Sequence, residues 1–231
     1  MRSAHQFCLS WMSNSPRPRR RSPDTASTAS AGLAAAQRVA RHADQEVRII
    51  GGVWKRTPLP VPISNGLRPT PSRVRETLFN WLGQDLSGWV VLDAFAGSGA
   101  LGLEAASRGA ESVTLIERDP GLFKGLRGIV EKLKASTQVQ LVQGDALDWM
   151  RQGRQFDLVF LDPPFEADLF DRALALAKAC VPEGGWIYLE ASREFSSQVE
   201  LGLQRVRHGK AGAVHFHLFQ RVDEAIRAPS T

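Results

Sequence analysis

The sequence predicts an α/β domain built on a parallel sheet with helices on both faces. Three observations carry that prediction. From Gly88 onward, short apolar runs alternate with helix-forming runs. A glycine-rich turn, Asp93-Ala94-Phe95-Ala96-Gly97-Ser98-Gly99, follows the first of those runs directly. Acidic residues then recur at the ends of successive apolar runs.

Residues 1–46 are rich in Arg, Ser, Ala and Pro and contain the run Arg17-Pro18-Arg19-Arg20-Arg21. Such a composition builds no core, and a disordered tail is expected. It also has the character of an organellar transit peptide. Met12 lies inside it, which fits an overlong start. The next segment, 47–82, reads as a basic hairpin and helix. Val47-Arg48-Ile49-Ile50 and Val53-Trp54-Lys55-Arg56 are strand-like and flank Gly51-Gly52. Thr70-Pro71 opens a helix with Thr as its N-cap and Pro in its first position. Val74, Thr77, Leu78 and Trp81 share one face of that helix.

The region 83–231 holds the alternating pattern. Trp89–Phe95 is a buried strand and Ala100–Ser107 a helix; Ser112–Ile116 and Pro120–Lys134 repeat that order. Val139–Val142 is the third strand, Leu147–Met150 a short helix, and Phe156–Leu161 the fourth strand. Leu169–Ala179 is a helix closed by Pro182-Glu183-Gly184-Gly185, and Trp186–Leu189 is the fifth strand. Leu203–His208 and Val214–Arg221, joined by Gly209–Gly212, form a terminal hairpin.

Charge divides the chain. Residues 47–75 carry Arg48, Lys55, Arg56, Arg68, Arg73 and Arg75 with no acid, while residues 76–231 hold 16 Lys+Arg against 21 Asp+Glu. A basic arm ahead of an acidic body suits a polyanion, and those six residues are the candidate phosphate contacts. Cys8 and Cys180 form neither a disulfide framework nor a metal pair. No apolar run approaches membrane-spanning length, and a cytoplasmic, monomeric protein without a metal is expected.

Gly97-Ser98-Gly99-Ala100-Leu101-Gly102 satisfies the dinucleotide pattern G-x-G-x-x-G, and Glu117 follows about 20 residues on, where a ribose-binding acid belongs. The signal is not specific to nicotinamide. Asp93, at the strand end, disfavours a pyrophosphate and suits the cationic methionine moiety of S-adenosylmethionine. Asp145, ending the third strand, is placed to accept from an adenine amine. The cofactor candidates are thus Asp93, Phe95, Gly97, Ser98, Gly99, Glu117, Arg118, Asp145 and Ala146.

On the fourth strand's end sits Asp162-Pro163-Pro164-Phe165. The prolines fix the backbone and remove two N–H donors, leaving carbonyls to accept. With the Asp162 carboxylate and a Phe165 stacking face, this tetrapeptide suits a planar base held by its exocyclic amine. It points to methylation of a base.

Here the residues resemble a family. Arg48-Ile49-Ile50-Gly51-Gly52, Leu67-Arg68-Pro69-Thr70, Arg73–Leu82 and Phe95–Ala105, with Asp162–Phe165, look like the bacterial RsmD family of class I methyltransferases. The likeness spans about residues 47–222. It implies a Rossmann-like, seven-stranded, mostly parallel sheet with an antiparallel last strand. It also implies transfer of methyl from S-adenosylmethionine to guanine N2 in 16S ribosomal RNA, within the small subunit. Two alternatives accompany it: a DNA adenine-N6 methyltransferase and a non-catalytic RNA-binding assembly factor. A nicotinamide oxidoreductase finds no candidate proton donor. His208, His215 and His217 fit a polar sheet face, and Glu190 has no assigned role.

Overall fold

The computed structural model describes residues 47–59, 70–164, 169–198 and 201–222. The expectations for residues 1–46, Arg68 and Phe165 lie outside them. A two-stranded antiparallel pair comes first, β1 (Val47–Arg48) with β2 (Pro58–Leu59). The connection is wider than the sequence predicts. Val53–Arg56 forms turns and not the second strand, because the Val53 N–H donates to the Ser107 carbonyl at 2.8 Å instead of joining the pair. Gly52 permits that approach. Its φ is +71°, and a Cβ there would lie 1.7 Å from the Ser107 carbonyl oxygen.

Helix α1 (Ser72–Trp81) buries Val74, Arg75, Leu78 and Phe79, and Trp81 stacks on Phe216 at 5.3 Å between centroids. Its start departs from expectation. Pro71 occupies the cap position with no side-chain cap bond, because the Thr70 hydroxyl is bonded to Glu190 instead.

The main body runs β3 (Val90–Asp93), α2 (Ala100–Ser107), β4 (Ser112–Glu117), α3 (Pro120–Lys132), β5 (Val139–Gln143), α4 (Ala146–Met150), β6 (Leu158–Leu161), α5 (Leu169–Ala179), β7 (Trp186–Ala191), β8 (Leu203–Ala211) and β9 (Val214–Arg221). The strands form one seven-stranded sheet in the order β5-β4-β3-β6-β7-β9-β8. β3 to β7 are parallel, and β9 runs antiparallel to both neighbours. The reversed last strand is therefore present. Its turn is tighter than predicted, since β8 continues to Ala211 and the ladder resumes at Val214. Gly209 lies inside β8 opposite Phe216, where a Cβ would meet the ring at 2.2 Å.

Alternate strand residues divide between two cores. Leu92, Val159, Ile187 and Leu189 pack with α5 residues on one face. Val91, Leu158, Phe160 and Tyr188 pack with α1 and α2 residues on the other. Runs apolar on both faces are what a doubly covered parallel sheet requires. Among the described residues, no helix is long and apolar enough to cross a membrane.

Candidate active site

The chain winds outward from β3 through β4 to β5, then crosses back to place β6 on the other side of β3. Ligands of open α/β sheets bind at the carboxyl ends of strands flanking such a reversal. Register sets which side chains meet there. Asp93 partners Leu115 on β4 and Phe160 on β6. Two residues further along, on the same face, come Glu117 and Asp162. Leu161 pairs with Leu189, so the next position along sets Asp162 beside Glu190. Four carboxylates thus leave one face of the sheet at one edge.

Asp93 is buried, and its Oδ2 accepts from the Gly102 N–H at 2.9 Å. Burial pushes its carboxyl up to about 7, the Gly102 and Phe95 N–H bonds oppose the rise, and the charges of Glu117 and Glu190 add to it. The turn after it is glycine-dependent. Gly97 and Gly99 have φ of +53° and +76°, and a Cβ on Gly99 would sit 2.7 Å from Leu126. Glu117 ties the turn to β4: Oε2 accepts from the Gly97 N–H at 2.9 Å and Oε1 from the Asp119 N–H at 2.7 Å. Phe95 is partly buried, Ser98 buried and Arg118 exposed. Asp145 caps α4, accepting from the Leu147 and Asp148 N–H groups at 2.9 and 3.1 Å, with Ala146 buried behind it.

Asp162 is half-buried, Pro163 buried and Pro164 exposed. Desolvation raises the Asp162 carboxyl well above the usual range, and the neighbouring Glu190 and Asp93 charges raise it further. Glu190 is 4 % exposed. It accepts from the Tyr188 hydroxyl at 2.9 Å and from Thr70. Its pKa too is raised, by burial, against those two bonds and the Arg75 charge.

The six basic candidates separate. Arg48, Lys55, Arg56 and Arg73 are exposed. Arg75 is not available to a phosphate, contrary to the sequence expectation. It is fully buried, 3.5 Å from Glu104, and donates to the carbonyls of Thr70 and Arg48 and to Ser72 Oγ. Glu104, which the sequence reading gave no role, is the hub of that contact. Its Oε2 accepts from the Ile50 N–H and its Oε1 from the Gly51 N–H, each at 2.7 Å, while Arg108 Nε donates to Oε1 at 2.8 Å. The β1–β2 turn and α1 are thereby fastened to α2.

The three hairpin histidines converge, with His208 Nε2 and His215 Nδ1 at 3.1 Å. His217 accepts from the Phe195 N–H at 3.0 Å through Nε2, and its Nδ1 lies 3.3 Å from the Leu189 carbonyl. Both of its nitrogens are committed to backbone, and burial pushes its pKa down to about 4.

Comparison with known proteins places the chain. The family model described as "Conserved hypothetical protein 95" matches residues 47–220. "Ribosomal RNA small subunit methyltransferase D" of Escherichia coli K12 is 44% identical over 184 residues, covering 76% of this chain and 90% of that protein. The protein of the same name from Haemophilus influenzae is 39% identical, with coverage of 78% and 96%. The solved structure of yhhF from Escherichia coli superposes with a TM-score of 0.70 at 40% identity, covering 78% of this chain and 99% of that one. Fold, glycine turn and matched span agree, and the chain belongs to the RsmD family, that of conserved hypothetical protein 95.

Proposed function

We propose that this protein transfers a methyl group from S-adenosylmethionine to the exocyclic N2 amine of a guanine in 16S ribosomal RNA of the small subunit, in the cytoplasm. One observation carries the reading: Asp162-Pro163-Pro164 leaves β6 on the strand next to β3, whose end bears Asp93 and the glycine turn. A base-holding group and a cofactor-holding group therefore share one crevice. The names of the relatives, ribosomal RNA small subunit methyltransferases, support the substrate class.

The residues fit the cofactor. A buried carboxylate held at about 7 in the bare protein calls for a cationic ligand, and the methionine moiety supplies one. Glu117 is placed for ribose hydroxyls, and Asp145, exposed at the end of β5, for the adenine amine. When bound, S-adenosylmethionine supplies an electrophilic methyl and takes up the carbon–sulfur electron pair as that bond breaks.

The chain's own groups do the rest. The Asp162 carboxylate and the Pro163 carbonyl accept the two N2 hydrogens, which draws the nitrogen lone pair out of conjugation and aims it at the methyl carbon. As the new bond forms, N2 becomes acidic and Asp162 takes its proton. That acidity arises only as the methyl bond forms, so Asp162 needs no raised pKa to act as the acceptor. Positioning in line with the breaking bond supplies most of the acceleration.

The test is tritiated methyl transfer to small subunits lacking their own N2-methylguanine, to naked ribosomal RNA and to unmethylated DNA, followed by nucleoside mass analysis. Label in N2-methylguanosine supports the reading. Label in DNA as N6-methyladenine overturns it, and cofactor binding without any label favours an assembly factor.

Two further outcomes follow. Native Asp93 keeps its proton to about pH 7, whereas the unfolded chain releases it near ~4. In the ligand-free protein the stabilisation from this protonated carboxyl is complete below pH ~4 and lost as pH rises through about 7. Cofactor binding selects the ionised form, so affinity falls below pH 7 by up to about tenfold per unit and is flat above it. Calorimetry across pH 5.5–8.5, with Asp93→Asn lacking the dependence, checks this. Four exposed cations, Arg48, Lys55, Arg56 and Arg73, give a slope of about −3 for log RNA affinity against log salt. Arg75→Lys should leave that slope unchanged.

A further inference from the structure

Glu190 ends a hydrogen-bonded chain that leads to the base site. Parallel register sets it beside Asp162 at the carboxyl edge of the sheet. It is buried, yet among the described residues no ion pair neutralises it. The nearby Arg75 spends its hydrogen bonds on Glu104, Ser72 and the carbonyls of Arg48 and Thr70. Instead two hydroxyls, Tyr188 and Thr70, hold the Glu190 carboxylate. Tyr188 is itself immobilised, fully buried and edge-on to Phe160 at 6.1 Å. A carboxylate has about four acceptor positions, and two donors leave capacity for more. Packing alone would be better served here by an apolar side chain, since burying a carboxylate is costly.

We propose that Glu190 is the specificity-determining group of the base pocket, accepting the N1–H of guanine while Asp162 and Pro163 hold the N2 amine. This rests on the guanine-N2 reading above and deepens it. Guanine presents two adjacent donors, N1–H and the 2-amine, to two adjacent carboxylates. Adenine presents its amine beside an N1 lone pair, which a second carboxylate repels. The pair Asp162–Glu190 thus turns an amine-holding motif into one that distinguishes the two purines. Thr70 and Tyr188 are positioning residues that aim Glu190.

The experiment uses the full chain and small-subunit RNA whose target guanine is replaced by 2-aminopurine. That base keeps the 2-amine but carries a lone pair at N1. Wild-type protein should methylate guanine at least about tenfold faster than 2-aminopurine, the size expected for losing a hydrogen bond to a charged group. Glu190→Gln can donate to the N1 lone pair, so the guanine to 2-aminopurine ratio should fall about tenfold or invert. Comparing ratios between proteins cancels the difference between the bases at C6. Thr70→Val, a milder change that leaves Glu190 in place, should shift the ratio the same way by less. An unchanged ratio in both variants, at any overall rate, overturns the proposal and leaves Glu190 a structural acid. Failure of wild-type protein to label guanine N2 at all would instead overturn the function on which it rests.

Discussion

Replacing Asp162 with Ala should lower the rate of methyl transfer by roughly 10³-fold or more while leaving cofactor affinity nearly unchanged. The size follows from two losses at once, of alignment of the amine and of a proton acceptor at its nitrogen. Asp162 contributes negative charge to a site already crowded with it, since Asp93 and Glu190 both raise its pKa. Removing that charge gives up some attraction for a cationic ligand but relieves the repulsion on Asp93, which keeps its own bond from Gly102, so the two effects offset. Asp162→Asn should fall between: an amide oxygen still accepts one hydrogen, but it cannot take the proton at neutral pH. Single-turnover rates at saturating cofactor, with calorimetry for cofactor affinity, separate these. Parallel loss of affinity and rate in Asp162→Ala would make Asp162 part of the cofactor site instead.

The strand ends that frame the candidate site were legible in the sequence because their parts are local. A strand ending in Asp93, a glycine turn and a helix beginning at Ala100 are contiguous, and each piece constrains the next through backbone geometry. Asp162-Pro163-Pro164 sits at a strand end for the same kind of reason. The contacts that hold the arm were not legible, because they join residues distant along the chain. Arg75 lies three residues before Leu78 and four before Phe79, on the face that is buried, so the helical period puts it inside, but the period names no partner for the charge. Its partner Glu104 is 29 residues away. One signal was present. Glu104 is the lone acid in α2, a helix buried along its whole length, and a charge in such a helix requires a cation and donors nearby. Thr70 misled for a related reason: Thr before Pro resembles a cap, but its hydroxyl had a more demanding partner in the buried Glu190.

That hidden contact carries the largest stability prediction. Glu104→Ala should destabilise the protein by about 3–5 kcal/mol, the range for removing one partner of a buried ion pair. The change strands the buried Arg75 and unpairs the Ile50 and Gly51 N–H groups together. For a chain of this size the melting temperature should fall by on the order of 10 °C, readable by calorimetry. The same contact bears on catalysis. Arg75 holds the Thr70 carbonyl, and the Thr70 hydroxyl holds Glu190. Loosening Arg75 should therefore disturb the base site before it disturbs the cofactor site, raising the KM for RNA more than that for S-adenosylmethionine. A double variant, Arg75→Met with Glu104→Leu, separates the two consequences. Apolar replacement of the whole pair removes the stranded charge and should recover part of the lost stability, less what the two unpaired N–H groups still cost. It cannot restore the hydrogen bond to Thr70. Activity should then stay low in a protein more stable than Glu104→Ala, which is the outcome expected if the pair positions the base site as well as holding the arm. Recovery of activity together with stability would reduce the pair to a fastening.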